Sequence, residues 1–189
     1  MKNVCILVPE SSVMQAIADP QYLFSAVNQF LAVSGKKPLF NVMLVGAKKE
    51  IKLNDGLFSV HTDKQLKDVK KTDLVFIPAL FGDMPTAIAK NKTLLPWIKA
   101  QYNNGAEVAS LCVGAFLLAS TGLLNGKKCS THWGFANEFR ELFPEVELVD
   151  VLQFRETDRA DLPGIRRADR HERLQDPGQC RGQWPGPVG

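Results

Sequence analysis

Glu107-Val108-Ala109-Ser110-Leu111-Cys112-Val113-Gly114-Ala115-Phe116-Leu117-Leu118-Ala119-Ser120 is the stretch that decides the fold. Glu107–Ser110 reads as a strand and Val113–Ser120 as an apolar helix, with almost no turn between them. A cysteine stands at the corner, with Ser110 and Gly114 two positions away on either side. Such a sharp strand–turn–helix junction is a nucleophile elbow: bulky flanks would not fit, and the corner residue is held above the strand's C-terminal end. The junction also places Cys112 at a helix N-terminus, where free N–H groups favour a thiolate. The alternative reading is a small buried residue at a tight turn.

Outward from the elbow the same alternation recurs. Val4–Val8 is a continuous apolar strand stopped by Pro9, and Phe40–Val45 and Asp73–Pro78 are two more. Leu57–Val60 reads as an edge or minor strand, and Val146–Val149 as a last one. Helical periodicity covers Tyr22–Val33 (Leu23, Phe24, Val27, Phe30, Leu31), Asn91–Tyr102 and Phe135–Phe143. Trp97, Phe30 and Phe40 stand at core spacing. Strands that are apolar on both faces and alternate with helices specify a doubly wound, mostly parallel α/β sheet with helices on both faces.

Composition narrows the function classes. The 189 residues are 45% hydrophobic and 23% charged. No apolar run approaches the roughly 18 residues of a membrane span, so no membrane partner is expected. The short apolar start after Met1 reads as a strand rather than a secretory segment, which gives a cytoplasmic expectation. A formal charge of +3, scattered along the chain, does not outline a nucleic-acid surface. Cys5, Cys112, Cys129 and Cys180 lack C-x-x-C spacing, and His61 and His171 are isolated, so neither a metal nor another cofactor is expected.

The averages conceal a break. Residues 1–150 hold 15 Lys and one Arg (Arg140), whereas residues 151–189 hold seven Arg and no Lys. The second segment is rich in Pro and Gly and has no sustained period, which is the composition of a disordered tail. The abrupt Lys-to-Arg switch is also what a shifted reading frame or vector sequence would give. The expected organisation is therefore a domain over 1–150, truncated at its C-terminal end, and a disordered or non-native tail over 151–189.

The stretch Ser110–Trp133 resembles the ThiJ/PfpI branch of the class I glutamine amidotransferase-like superfamily, and more narrowly the sensor domain that precedes the DNA-binding domain in GlxA-like regulators of the AraC family. The likeness is carried by the cysteine elbow, by Ala119-Ser120-Thr121-Gly122-Leu123-Leu124-Asn125-Gly126, and by Thr131-His132-Trp133. Asp19-Pro20 followed by Phe24 and Asn28, and Asp73–Leu80, add to it. The resemblance implies a flavodoxin-like fold and a homodimer. It also implies a small-molecule pocket lined by Cys112, Val113, Ala79, Leu80, Gly82 and His132. Cys112 and His132 are the candidate catalytic residues, with Cys112 either active or a vestige. In relatives, backbone N–H groups of the loop at Phe81-Gly82-Asp83 bind an oxyanion together with the N–H after the cysteine. Asp83 also reads as an N-cap for Met84–Lys90, and Ser130 or Thr131 as a cap for the helix after His132.

The departures point away from catalysis. Enzymes of the superfamily carry a carboxylate seven residues before the proline equivalent to Pro20; here that position is Val13, and Glu10 lies three residues early. Proteolytic members place a His directly after the cysteine, where this chain has Val113. A thiol without a partner to set its protonation has weak means for acid–base chemistry. The expectation is an effector-sensing domain of a transcription regulator, with DNA contacted only through a C-terminal domain that these residues lack. The alternative is a stand-alone cysteine-dependent hydrolase or hydratase.

Overall fold

The computed structural model describes residues 1–149; the Arg-rich segment 151–189, with His171 and Cys180, lies outside the described residues. A central sheet of five parallel strands runs in the order β5-β2-β1-β6-β7. Its strands are β1 (Lys2–Leu7), β2 (Phe40–Gly46), β5 (Lys64–Gln65), β6 (Leu74–Ile77) and β7 (Glu107–Ser110). A separate antiparallel hairpin joins β3 (Glu50–Leu53) to β4 (Phe58–His61), and a two-residue parallel pair joins β8 (Lys128–Cys129) to β9 (Glu147–Leu148). The helices are α1 (Met14–Val33), α2 (Met84–Lys90), α3 (Leu94–Asn103), α4 (Ala115–Ala119) and α5 (Ala136–Leu142).

Strand alternation builds two cores, one on each sheet face. Val4, Ile6 and Val8 point to the face covered by Ile17 of α1 and by Ile51, Leu53 and Val60 of the hairpin. Cys5 and Leu7 point to the other face, with Val75, Ile77, Met84, Leu94, Ile98 and Phe116. An isolated hairpin is marginal in water. Burying Ile51, Leu53 and Val60, each worth about 1.5–3 kcal/mol, is what fixes this one to the sheet.

The doubly wound parallel fold is as the alternation predicts, and several details differ. Helix α1 begins eight residues before Tyr22 and carries Pro20 inside it. Its buried side is set by Ala16, Ile17 and Pro20, which rotates Phe30 (74% exposed) and Leu23 (62%) away from the core. Phe30 is therefore not a core residue. Phe40 packs edge to face on Phe24, with ring centroids 5.1 Å apart. The strand expected near Leu57–Val60 is the second arm of a hairpin whose first arm, β3, the periodicity did not single out. The strand expected at Val146–Val149 shrinks to β9, which pairs with β8 and not with the central sheet.

Candidate functional site around the Cys112 elbow

β7 delivers the chain to the corner, where Cys112 takes a left-handed backbone conformation with φ 54°. A 3₁₀ turn (Cys112–Gly114) then leads directly into α4. The left-handed region is sterically costly for a residue with a side chain, by about 1–3 kcal/mol. The fold holds it there because Leu111 N–H donates to the Ile77 carbonyl (2.9 Å) and Gly114 N–H to the Leu111 carbonyl (2.8 Å). Gly114 is obligatory: a Cβ there would stand 2.5 Å from the Pro78 carbonyl oxygen and 2.9 Å from that of Ile77. The result is the predicted elbow, with the Cys112 thiol exposed.

Aromatic packing sets the position of the His132 loop. Phe116 of α4 meets Phe139 edge to face at 4.9 Å and 88°, and Phe135 and Phe143 pack on it at 6.2 and 6.0 Å. The Thr131 hydroxyl donates to the Cys112 carbonyl at 3.3 Å, which ties this loop to the corner. The cap of the following 3₁₀ turn (Trp133–Phe135) is His132 and not Ser130 or Thr131: its Nδ1 accepts from Gly134 N–H at 3.1 Å. The imidazole stacks on Trp133 at 5.3 Å.

On the other side of the elbow, the loop after β6 pairs with the loop after β1. Val13 N–H donates to Ala79 (2.9 Å) and Phe81 N–H to Ser11 (2.7 Å). The Phe81 amide is thus already spent and is not available to an oxyanion. Ala79, Leu80 and Val113 are buried. Asp83 is the cap of α2, accepting from Thr86 N–H at 2.9 Å, and hydrogen bonding first to the Thr86 side chain and then to its backbone N–H holds the carboxyl below its ordinary value.

A cavity of about 800 Å³ opens beside these loops. Glu10–Gln15 after β1, Lys52–Gly56 and Phe58 of the hairpin, Phe81, Gly82 and Lys90 line it. Of the residues singled out for the pocket, only Gly82 reaches this wall; Cys112, Val113, Ala79, Leu80 and His132 do not. Val13 does, as the first boundary residue of α1, and Glu10 is held by Lys48 at 2.8 Å. The hairpin's share of this wall has its own sequence signal, Asn54-Asp55-Gly56 between alternating apolar residues. Among the described residues, no group of three or more His, Cys, Asp or Glu side chains is placed to hold a metal, and no helix is long and apolar enough to cross a membrane.

Residues 24–149 match the DJ-1/PfpI family. The HTH-type transcriptional regulator CdhR of Pseudomonas aeruginosa is 29% identical over 147 residues, which are 78% of this chain and 41% of the regulator. The chain thus spans about two fifths of that relative's length. A solved structure from Vibrio parahaemolyticus, described as a transcriptional regulator, superposes with a TM-score of 0.67 at 25% identity, covering 79% of this chain and 76% of that one. An AraC family transcriptional regulator from Pseudomonas putida shares the fold, with a TM-score of 0.57 at 15% identity over 79% and 76% of the two chains.

Proposed function

Because the chain belongs to the DJ-1/PfpI family, we propose that its first 149 residues are the effector-sensing domain of a cytoplasmic transcription regulator of the AraC type. The domain takes up a small metabolite beside the Cys112 elbow and works as a homodimer. DNA is contacted through a domain that the described residues do not include. The observation that carries this reading is the likeness to a transcriptional regulator along 78% of the chain. The chemistry of the elbow supports it. Cys112 is exposed on a strained corner, but His132 spends its Nδ1 on the Gly134 amide, and Val13 occupies the position where family enzymes carry an acid. A thiol so placed can touch a ligand without a partner to move protons.

The exposure of Cys112 also favours a second reading, a cysteine-dependent hydrolase or hydratase. One experiment separates the two. The purified chain is incubated with amide, isonitrile and glyoxal substrates, and in parallel small nitrogen-containing metabolites are screened for thermal stabilisation and for protection of Cys112 from iodoacetamide. The sensor reading expects protection and stabilisation without turnover. Turnover that disappears in Cys112→Ser would put the enzyme reading first.

A further inference from the structure

We propose that the sheet edge opposite the elbow, built by the N-terminal ends of β2, β1 and β6, is a contact surface for the phosphate backbone of duplex DNA, carried by Lys2, Lys36, Lys37, Lys70 and Lys71. It goes beyond the sensor reading by giving this domain a sequence-independent DNA contact of its own. Only the choice of DNA among polyanions rests on the regulator reading above.

The five lysines are scattered in the chain, and the fold collects them. The central strands are parallel, so the segments that enter them meet on one edge. Lys2 opens β1, and its N–H donates to the Leu39 carbonyl at 2.7 Å, next to the loop that carries Lys36 and Lys37 into β2. Lys70 and Lys71 lead into β6, where the Thr72 hydroxyl and the Asp73 N–H both donate to the Asn3 carbonyl, at 2.8 and 3.0 Å. Because β2 and β6 flank β1, the strand entries on either side of Lys2 are about 10 Å apart, two interstrand spacings. All five lysines are exposed.

Each lysine pair is presented by a segment that a helix pins with a side-chain amide. Asn28 of α1 accepts from Leu39 N–H (2.9 Å) and Phe40 N–H (3.0 Å) and donates to the Phe40 carbonyl (2.7 Å). The buried Gln101 of α3 accepts from Thr72 N–H (3.2 Å) and donates to the Val69 (3.3 Å) and Lys70 (3.5 Å) carbonyls. Backbone held in this way lowers the ordering cost of binding.

The charge is not cancelled locally. The two ion pairs among the described residues are Glu10–Lys48 and Glu147–Lys128, so none of the five lysines is in one. The acids on this edge are Asp73, which accepts from Asn3 N–H at 2.7 Å, and Glu107. Asp68, just before Lys70, is matched by Lys67 beside it. The C-terminal ends of α1 and α3 reach the same edge and carry about half a negative charge each. Five lysines against two carboxylates and two helix ends leave the balance positive. Lysine is depleted in protein–protein interfaces and common against phosphate oxygens. As a point charge it neutralises phosphate without reading bases.

The test measures binding of the full 189-residue chain to a short fluorescent duplex of arbitrary sequence by anisotropy, between about 50 and 200 mM salt. The quadruple variant Lys36→Gln, Lys37→Gln, Lys70→Gln, Lys71→Gln changes only exposed positions. It should keep the parent's melting temperature, weaken binding at least tenfold at low salt, and lower the slope of log K against log salt by about one per lysine removed. The control Lys49→Gln, Lys52→Gln, Lys90→Gln, Lys92→Gln removes the same charge elsewhere and should change the slope by less than half as much. Every variant carries the seven arginines of residues 151–189, so differences between variants belong to the lysines. An equal loss in the control, an unchanged slope in the edge variant, or polyglutamate bound at least as tightly as the duplex overturns the proposal. The sensor reading is judged apart from it, because Cys112 stands at the C-terminal end of β7. Metabolite protection of Cys112 from iodoacetamide that persists in the edge variant leaves sensing intact whatever becomes of the DNA contact.

Discussion

A Cβ on Gly114 would lie 2.5 Å from the carbonyl oxygen of Pro78. The elbow and the end of β6 therefore touch backbone to backbone, and neither can retreat without breaking the Leu111–Ile77 hydrogen bond that registers them. Gly114→Ala is expected to destabilise the domain by about 1–3 kcal/mol, since overpacking against backbone finds no flexible side chain to yield. Urea unfolding measures it. A variant as stable as the parent would mean that the corner is looser than this contact requires.

Phe139 is fully buried and meets Phe116 at right angles. Phe139→Ala should cost about 3–5 kcal/mol as a large-to-small core change. The structural consequence is more specific: α5 and the His132 loop lose their anchor on α4. Hydrogen exchange at the Gly134 amide, which His132 caps, should accelerate more than exchange in β1.

The thiols should separate by exposure. Cys112 is exposed and Cys5 fully buried. Iodoacetamide is expected to modify native Cys112 first and Cys5 only on unfolding, as peptide mass analysis would show. Burial pushes the Cys5 and Cys129 thiols above the ordinary value of 9.0. The unfolded chain therefore loses these protons first as pH rises, and the folded state, still protonated, falls in relative stability from about pH 9 upward, by at most about 1.4 kcal/mol per pH unit for each thiol. Cys5→Ala should flatten that alkaline decline while lowering stability at neutral pH. An unchanged alkaline slope would remove Cys5 as its source.

Homodimerisation, as part of the proposed function, is expected to use α1. Leu23, Phe30 and Val33 are exposed on it, and Asp19 is its one charged residue. Two such helices bring no charge repulsion of consequence when they face each other, which suits a self-complementary interface. Leu23→Glu with Phe30→Glu should give a monomer in sedimentation velocity. A dimer that survives both changes places the interface elsewhere.

Periodicity and composition by themselves determined the layer architecture, the elbow at Cys112 and the need for small residues beside it. These follow from strand alternation, helical period and the steric limits of one sharp turn, all of which act over a few neighbouring residues. Tertiary structure alone decided which way α1 faces: Phe30 has core spacing in the Tyr22–Val33 window, but Ala16, Ile17 and Pro20, outside that window, fix the helix phase. It decided that Glu147–Leu148 joins Lys128–Cys129 instead of the central sheet, because pairing depends on a partner 19 residues away. It also decided the cavity. Glu10, Lys52, Gly82 and Lys90 are far apart in the chain and meet because β1 and β6 are neighbours and the hairpin's Ile51 and Leu53 are buried against the sheet. No local pattern encodes such a meeting, since it is the buried apolar residues behind the wall, and not the wall residues themselves, that bring it about.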